Sequence, residues 1–273
     1  MPRDIRGGHP TYWTTFGTGP RQALLIHCSL AHSGAWKGVA AALGERLTMR
    51  AYDLPGHGRS GDWTPARDMQ DLSVAMAADL IGAEGPVDVI GHSFGATVGL
   101  RLAIERPDLV RSLVMIESVF VAAALADDPV LAEQHHDTNA GYIEALKRGD
   151  RMEAARAFMT EWGDGRPWQA LPREHQKFLA SKIHLIQANQ PTVLEDRPGL
   201  LRDRRIEALD VPALLIRGAD SSGFVEPIHK AIVRRLKGAR DIAIPGAGHM
   251  APITHPDETA ALIAEFLDTV PEI

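Results

Sequence analysis

The residues best suited to chemistry form the pentapeptide Gly91-His92-Ser93-Phe94-Gly95. An apolar run at 87–90 precedes it, and a helical pattern at 96–105 follows it. A glycine-x-serine-x-glycine sequence between a strand and a helix is typical of a nucleophile elbow, a strained turn that exposes the serine hydroxyl. Glycines at both ends avoid Cβ collisions in such a turn. We therefore predict that Ser93 is a nucleophile.

A serine hydroxyl is a weak nucleophile at neutral pH, so the chain must also supply a base. His249 is the candidate, because it lies in a glycine-rich loop, 246–250, directly after the apolar run 242–244. Histidine is the side chain whose unperturbed pKa suits proton transfer near neutral pH. The sequence thus predicts a pair in which His249 takes the proton of Ser93.

Two further segments belong with this pair. One is the octapeptide Asp53-Leu54-Pro55-Gly56-His57-Gly58-Arg59-Ser60, and the other is an apolar run, 23–26, that ends at His27. With these pieces the chain resembles the α/β-hydrolase superfamily, in its esterase, lactonase and C–C hydrolase branch, over residues 12–267. The order of serine before histidine also matches that superfamily. The resemblance implies Ser93 as nucleophile, His249 as base, and no metal or organic cofactor.

The resemblance also implies an oxyanion hole made of backbone N–H groups. One donor would be Phe94, and the other would follow His27, with Ser29 as the first choice and Leu30 as the alternative. Many relatives carry His-Gly where this chain has His27-Cys28. A thiol nucleophile at Cys28 is disfavoured, because free cysteines are usually buried packing residues.

The sequence leaves two candidates for the acid that orients the histidine. In most relatives the acid lies three residues after a glycine, and counting from Gly218 that position is Ser221, which carries no charge. Asp220 lies one residue earlier. Glu117 follows the apolar run 113–116, where haloalkane dehalogenases and some other branches place their acid. We favour Glu117 and keep Asp220 as the alternative.

Short apolar runs alternate with helical patterns along the chain. The runs are 23–26, 87–90, 113–116, 213–216 and 242–244, and the helical patterns are 35–47, 72–81, 96–105, 228–236 and 260–267. Continuous apolarity indicates strands buried on both faces, as in a parallel sheet. The alternation predicts an α/β fold with a doubly wound, mostly parallel sheet, whose ligands bind beyond the carboxyl ends of the strands.

The segment 119–205 interrupts this alternation with helical patterns at 141–147, 152–161, 174–186 and 192–195. It is too long for a plain crossover. We predict a helical cap at 119–205, inserted in a hydrolase core made of 1–118 and 206–273. The predicted pocket residues come from both parts; they are His27, Cys28, Tyr142, Phe158, Trp162, Trp168 and Met250.

Composition narrows the function class. The 273 residues carry a formal net charge of −6 and no basic run, which argues against nucleic-acid binding. A single cysteine suits a reducing compartment. No apolar run reaches transmembrane length, and 1–8 lacks a signal core, so we expect a cytoplasmic protein without a membrane partner. The pair His135-His136 lacks further ligands at metal spacing, so no metal is expected.

These features predict a serine hydrolase that cleaves a carboxylic ester, a lactone or a related small, apolar acyl compound through an acyl-enzyme. A C–C bond hydrolase or a cofactor-free perhydrolase would use the same triad. A ligand receptor with a vestigial triad is the alternative from another class. The sequence indicates neither the substrate nor the oligomeric state.

Overall fold

A computed structural model describes residues 3–271 and contains, within that range, one eight-stranded sheet. The strands are β1 Arg3–Arg6, β2 His9–Phe16, β3 Arg21–Ile26, β4 Leu47–Tyr52, β5 Val87–His92, β6 Val110–Ile116, β7 Ala213–Gly218 and β8 Arg240–Ile244. Their order is β1-β2-β4-β3-β5-β6-β7-β8. β1 and β2 pair antiparallel at one edge, and β4 to β8 run parallel with β3. The predicted doubly wound, mostly parallel α/β fold is confirmed.

Helices cover both faces of the sheet. They are α1 Lys37–Leu43, α2 Met69–Ile81, α3 Phe94–Glu105, α4 Val121–Asp127, α5 Leu131–Lys147, α6 Arg151–Trp162, α7 Arg173–Lys182, α8 His184–Val193, α9 Val225–Val233, α10 Ala251–Thr254 and α11 Pro256–Asp268. α1 and α11 share one apolar core with the sheet, and α2, α3 and α9 share the other. Because both faces of the sheet are covered, central strands such as β5 are buried along their whole length, which accounts for the apolar runs in their sequences.

Three element predictions are wrong. The helix predicted at 35–47 ends at Leu43, and Leu47 already begins β4. The helix predicted at 174–186 is two helices, α7 and α8, which meet at Ile183. The short helix predicted at 192–195 does not exist separately, because α8 runs on to Val193. β1, β2 and β4 were not among the predicted strands.

The chain between β6 and β7 is helical and carries α4 to α8. Side chains of α5, α6 and α7 form a third apolar cluster, which includes Tyr142, Ala154 and Leu179 and also Leu30 from the loop after β3. This packing ties the helical segment to the sheet at the carboxyl ends of the strands. The division into a core and a cap at 119–205 stays a prediction, and residues 1, 2, 272 and 273 of that core lie outside the described residues. The predicted lack of a signal at 1–8 likewise falls partly outside them.

Within residues 3–271, none of the helices combines the length and the apolarity needed to cross a membrane.

Candidate active site

Ser93 lies in the turn between β5 and α3. Its backbone has φ 57° and ψ −119°, a strained conformation for a residue with a Cβ. A Cβ on Gly91 would lie 2.3 Å from the carbonyl oxygen of Gly95, and one on Gly95 would lie 2.2 Å from that of Ile26. Both positions therefore require glycine, and the turn presents the Ser93 side chain at the carboxyl end of the sheet.

Three side chains form a continuous hydrogen-bonded chain at this edge. The Oγ of Ser93 lies 3.1 Å from Nε2 of His249. The Nδ1 of the same ring lies 2.9 Å from Oε2 of Glu117. A proton on Nδ1 donated to the carboxylate leaves Nε2 as the acceptor for the serine proton, which is the tautomer that a general base needs.

Glu117 is fully buried, and several hydrogen-bond donors hold its carboxylate in place. The backbone N–H of Gly218 donates to Oε1 at 2.5 Å, and the Ser221 hydroxyl donates to the same oxygen at 2.7 Å. Burial alone would raise the pKa of Glu117, but the bonds from His249, Ser221 and Gly218 outweigh it and hold the pKa below its ordinary value. Glu117 is therefore anionic at neutral pH.

The structure does not bring Asp220 to His249. Asp220 is exposed, and the contact it makes is a backbone bond from its N–H to the carbonyl of Ala247. The neighbouring Ser221 turns inward and donates its hydroxyl to Glu117. The alternative acid is thus contradicted by geometry, because the loop after β7 delivers an uncharged hydroxyl to the site and leaves the aspartate in solvent.

The two residues preferred as oxyanion donors share a cavity with Ser93. Phe94 is the first residue of α3, so its N–H has no acceptor within the helix. Phe94 and Ser29 line the cavity in front of Ser93. Leu30, the alternative, has φ 62° and packs in the apolar cluster with Tyr142 instead of lining the cavity.

His27 was predicted to line the pocket, and this is wrong. Its ring is fully buried below the loop, where Nδ1 donates to the carbonyl of Cys28 at 2.7 Å and Nε2 accepts from the N–H of Leu54 at 2.9 Å. Burial lowers the pKa of His27 to about 4, so the ring stays neutral. These two bonds explain its role: they fix the loop that carries Cys28 and Ser29.

His92, the second residue of the elbow, supports the base. Its Nε2 donates to the backbone carbonyl of His249 at 2.8 Å. Burial lowers the pKa of His92 to about 3 and keeps the ring neutral. The ring of Trp162 also contacts the base, with 4.9 Å between its centroid and that of the His249 ring and an interplanar angle of 78°. The sequence identified His92 as part of the motif but indicated no role for it.

A cavity of about 340 Å³ opens in front of Ser93. Of the predicted pocket residues it is lined by Cys28, Tyr142, Phe158, Trp162 and Met250. Trp168 is a wrong prediction, because it packs against the α5–α7 cluster from outside. The sequence interpretation missed one whole wall, formed by Ile186, Asn189, Gln190 and Val193. Their spacing of three and four residues along α8 is the signal that could have found them.

Other side chains that line the cavity could in principle act as a nucleophile or as metal ligands. The Cys28 thiol is buried, which raises its pKa to about 12, so it is not a thiolate at neutral pH. His135 and His136 line the same cavity. In the described part of the chain, no group of three or more His, Cys, Asp or Glu side chains is arranged to hold a metal ion.

The chain is similar in sequence to known proteins. The sequence pattern of the alpha/beta hydrolase family matches residues 23–262. The chain is 31% identical over 250 residues to the pimeloyl-acyl-carrier protein methyl ester esterase of Nitrosomonas europaea, an alignment that covers 89% of this chain and 94% of that protein. It is 29% identical to the lipase LipV of Mycobacterium tuberculosis, over 92% of this chain and 94% of that one.

The fold also matches solved structures. An alpha/beta hydrolase from Sphaerobacter thermophilus superposes with a TM-score of 0.73 and 23% identity, covering 97% of this chain and 100% of that chain.

Proposed function

Since this chain belongs to the alpha/beta hydrolase family and is an enzyme of the carboxylic ester hydrolase type, we propose that Ser93, His249 and Glu117 are its catalytic triad. The observation that carries the proposal is the hydrogen-bonded chain from Ser93 Oγ through His249 to Glu117. All three side chains are buried, and Ser93 and His249 line one cavity, so the low dielectric strengthens each of these bonds.

In the proposed reaction the Ser93 hydroxyl attacks the ester carbonyl while His249 Nε2 takes its proton. The carbonyl electrons move to the oxygen, where the N–H groups of Phe94 and Ser29 stabilise the oxyanion by about 3 kcal/mol per donor. The C–O bond then breaks, and His249 gives the proton to the departing alcohol. A water molecule attacks the acyl-enzyme by the same route and releases the acid. Glu117 stabilises the imidazolium in both halves.

The apolar lining of the cavity favours an apolar acyl group as the part of the substrate that binds there. Phe158, Trp162 and Val193 are among the side chains that face it. Its volume of about 340 Å³ lies at the lower end of the roughly 300–1,000 Å³ range of small-molecule sites, which favours a short or medium acyl chain. Similarity to methyl ester esterases supports an ester of a small alcohol.

A fluorophosphonate probe tests the proposal directly. We expect one covalent adduct, located by peptide mass spectrometry on Ser93, and loss of both the adduct and ester turnover in Ser93→Ala. Removal of a triad nucleophile lowers kcat by about 10⁶-fold. Ser181→Ala is the matched control, because this serine is exposed on α7 and should keep label and activity. An adduct on another residue, or turnover by Ser93→Ala, would refute the assignment.

A further inference from the structure

Two buried polar atoms, on side chains that line the cavity, have no hydrogen-bond partner in the protein. They are the phenol oxygen of Tyr142 and the amide oxygen Oδ1 of Asn189. The side chains are 4% and 6% exposed, and both line the cavity in front of Ser93. Unpaired buried polar groups are costly, and native interiors pair nearly all of them. Two such atoms on residues that line one cavity are candidates for hydrogen bonds to a bound substrate.

The surrounding contacts hold both groups in place. The ring of Tyr142, on α5, packs against Phe158 with 5.9 Å between ring centroids. The Nδ2 of Asn189, on α8, donates to the hydroxyl of Ser29 at 2.8 Å. Because this bond occupies the amide nitrogen, Oδ1 is the atom left for a ligand. Ser29 is a proposed oxyanion donor, so Asn189 lies close to the reacting carbonyl.

The chemistry of the two groups defines what they can bind. Burial raises the pKa of Tyr142 far above its ordinary value, so the phenol is protonated and can donate. Asn189 Oδ1 can only accept. A hydroxyl group accepts one hydrogen bond and donates another, and so it can satisfy both. A carboxylate cannot donate, and among the described residues that line the cavity there is no lysine or arginine to neutralise it.

We propose that the cavity selects esters whose acyl group carries a hydroxyl, which accepts a hydrogen bond from Tyr142 and donates one to Asn189. The proposal deepens the function proposed above and rests on it. The other walls remain apolar, so the acyl chain packs against them while the hydroxyl marks one position along it.

The test compares methyl hexanoate with methyl hydroxyhexanoates that bear the hydroxyl at each carbon in turn. We expect one positional isomer to exceed the plain ester at least tenfold in kcat/KM, since a site built to bind a hydroxyl discriminates against the analogue that lacks it. Tyr142→Phe and Asn189→Leu should each reduce this ratio by several-fold or more. Ile186→Val, on the same wall but apolar, should leave the ratio unchanged. Equal kcat/KM for every ester in the wild type would overturn the proposal.

Calorimetric titration of Ser93→Ala separates this inference from the proposed function. We expect the variant to bind the preferred hydroxy ester more tightly than methyl hexanoate and to leave both intact. Equal affinity for the two esters overturns the hydroxyl site and leaves the triad standing. Hydrolysis of the esters during the titration overturns the triad instead. Thermal unfolding of Tyr142→Phe and Asn189→Leu confirms that any lost preference comes from a folded protein.

Discussion

Glu117 reaches His249 from the end of β6, and its own backbone is unusual there, with φ 54°. The longer glutamate side chain spans the gap between β6 and the loop that carries the base. Its Oε1 is held by the loop after β7, through Gly218 and Ser221. The two strands thus share one function: β6 supplies the charge, and β7 supplies the donors that orient it.

Charge removal at Glu117 should therefore cost far more than at Asp220. We expect Glu117→Gln to lower kcat by about 10³–10⁴, because an amide can favour the wrong tautomer of His249 and cannot stabilise its cation. Asp220→Asn should stay within about twofold of the wild type, since this side chain is exposed. Steady-state kinetics with a short acyl nitrophenyl ester measures both.

The opposite result, a crippled Asp220→Asn beside a nearly normal Glu117→Gln, would mean that the loop after Gly218 rearranges to bring the aspartate inward. Thermal unfolding of both variants is the necessary control, because Glu117 is fully buried and its substitution also tests packing.

The sequence could predict some site residues and not others for a physical reason. Ser93 and His249 lie in short glycine-rich segments whose backbone geometry is dictated locally. The acid was left open between Glu117 and Asp220, because both follow strands that end at the same sheet edge and one residue of loop register decides between them. Asn189 escaped notice because its role depends on packing of α8 against the loop that carries Ser29, a contact between residues 160 positions apart.

At the scale of elements, the strands that are buried throughout were predictable from the sequence. Strands that alternate buried and half-buried residues were not. β5 and β6 are buried along nearly their whole length. β4 alternates buried Leu47, Met49 and Ala51 with half-buried Thr48 and Arg50. It starts at Leu47, four residues after α1 ends at Leu43, so Leu47 fits the helical period as well as the strand period. That ambiguity extended the predicted helix into β4.

The two tryptophans of the helical segment differ in their position, because one lines the cavity and the other does not. Trp162 lines the cavity and contacts the ring of His249, whereas Trp168 only packs from outside. We expect Trp162→Ala to shift the preferred acyl chain towards longer or bulkier groups, because it opens the wall of the pocket. Trp168→Ala should leave the chain-length profile unchanged. Rates on a series of nitrophenyl esters, from acetate to decanoate, measure the shift.

If Trp162→Ala had the same chain-length profile as the wild type, the helical segment would not set the acyl preference through Trp162. A shift in Trp168→Ala, which the cavity geometry does not predict, would mean that the segment adjusts as a unit. Helix content from circular dichroism controls for unfolding in both variants.

At the scale of the molecule, the site is assembled from distant parts of the chain that meet at one edge of the sheet. Ser93 follows β5, Glu117 follows β6, the supporting donors follow β7, and His249 follows β8. Parallel strands bring their carboxyl ends together, so this meeting was predictable from the position of these residues at the ends of predicted strands. Which side chains of the helical segment face the cavity was not, because that depends on side-chain packing between α5, α6 and α7 and the loop after β3.

The same burial that shapes the site should make the fold sensitive to acid. His27, His57 and His92 are buried, and burial lowers their pKa values to about 4, about 3 and about 3. The unfolded chain takes up protons on these residues near the ordinary pKa of 6.5, whereas the folded chain does not. Above pH 6.5 the two states bind the same number of protons here, and the full stability is present. As the pH falls from 6.5 towards 4, the unfolded state binds more protons and stability is lost.

Urea unfolding at pH 7.5 and 5.5 should reveal this loss. At pH 5.5, one unit below the pKa of histidine in the unfolded chain, each of the three histidines lowers the free energy of unfolding by about 1.4 kcal/mol. Together they lower it by about 4 kcal/mol. His57→Gln is the informative variant, because a glutamine can still donate to the carbonyl of Pro55, which Nδ1 of His57 contacts at 2.8 Å. It should recover about a third of the loss, whereas His175→Gln, at an exposed position on α7, should recover none. An unchanged loss in His57→Gln would show that buried neutral histidines are not the source of the acid sensitivity.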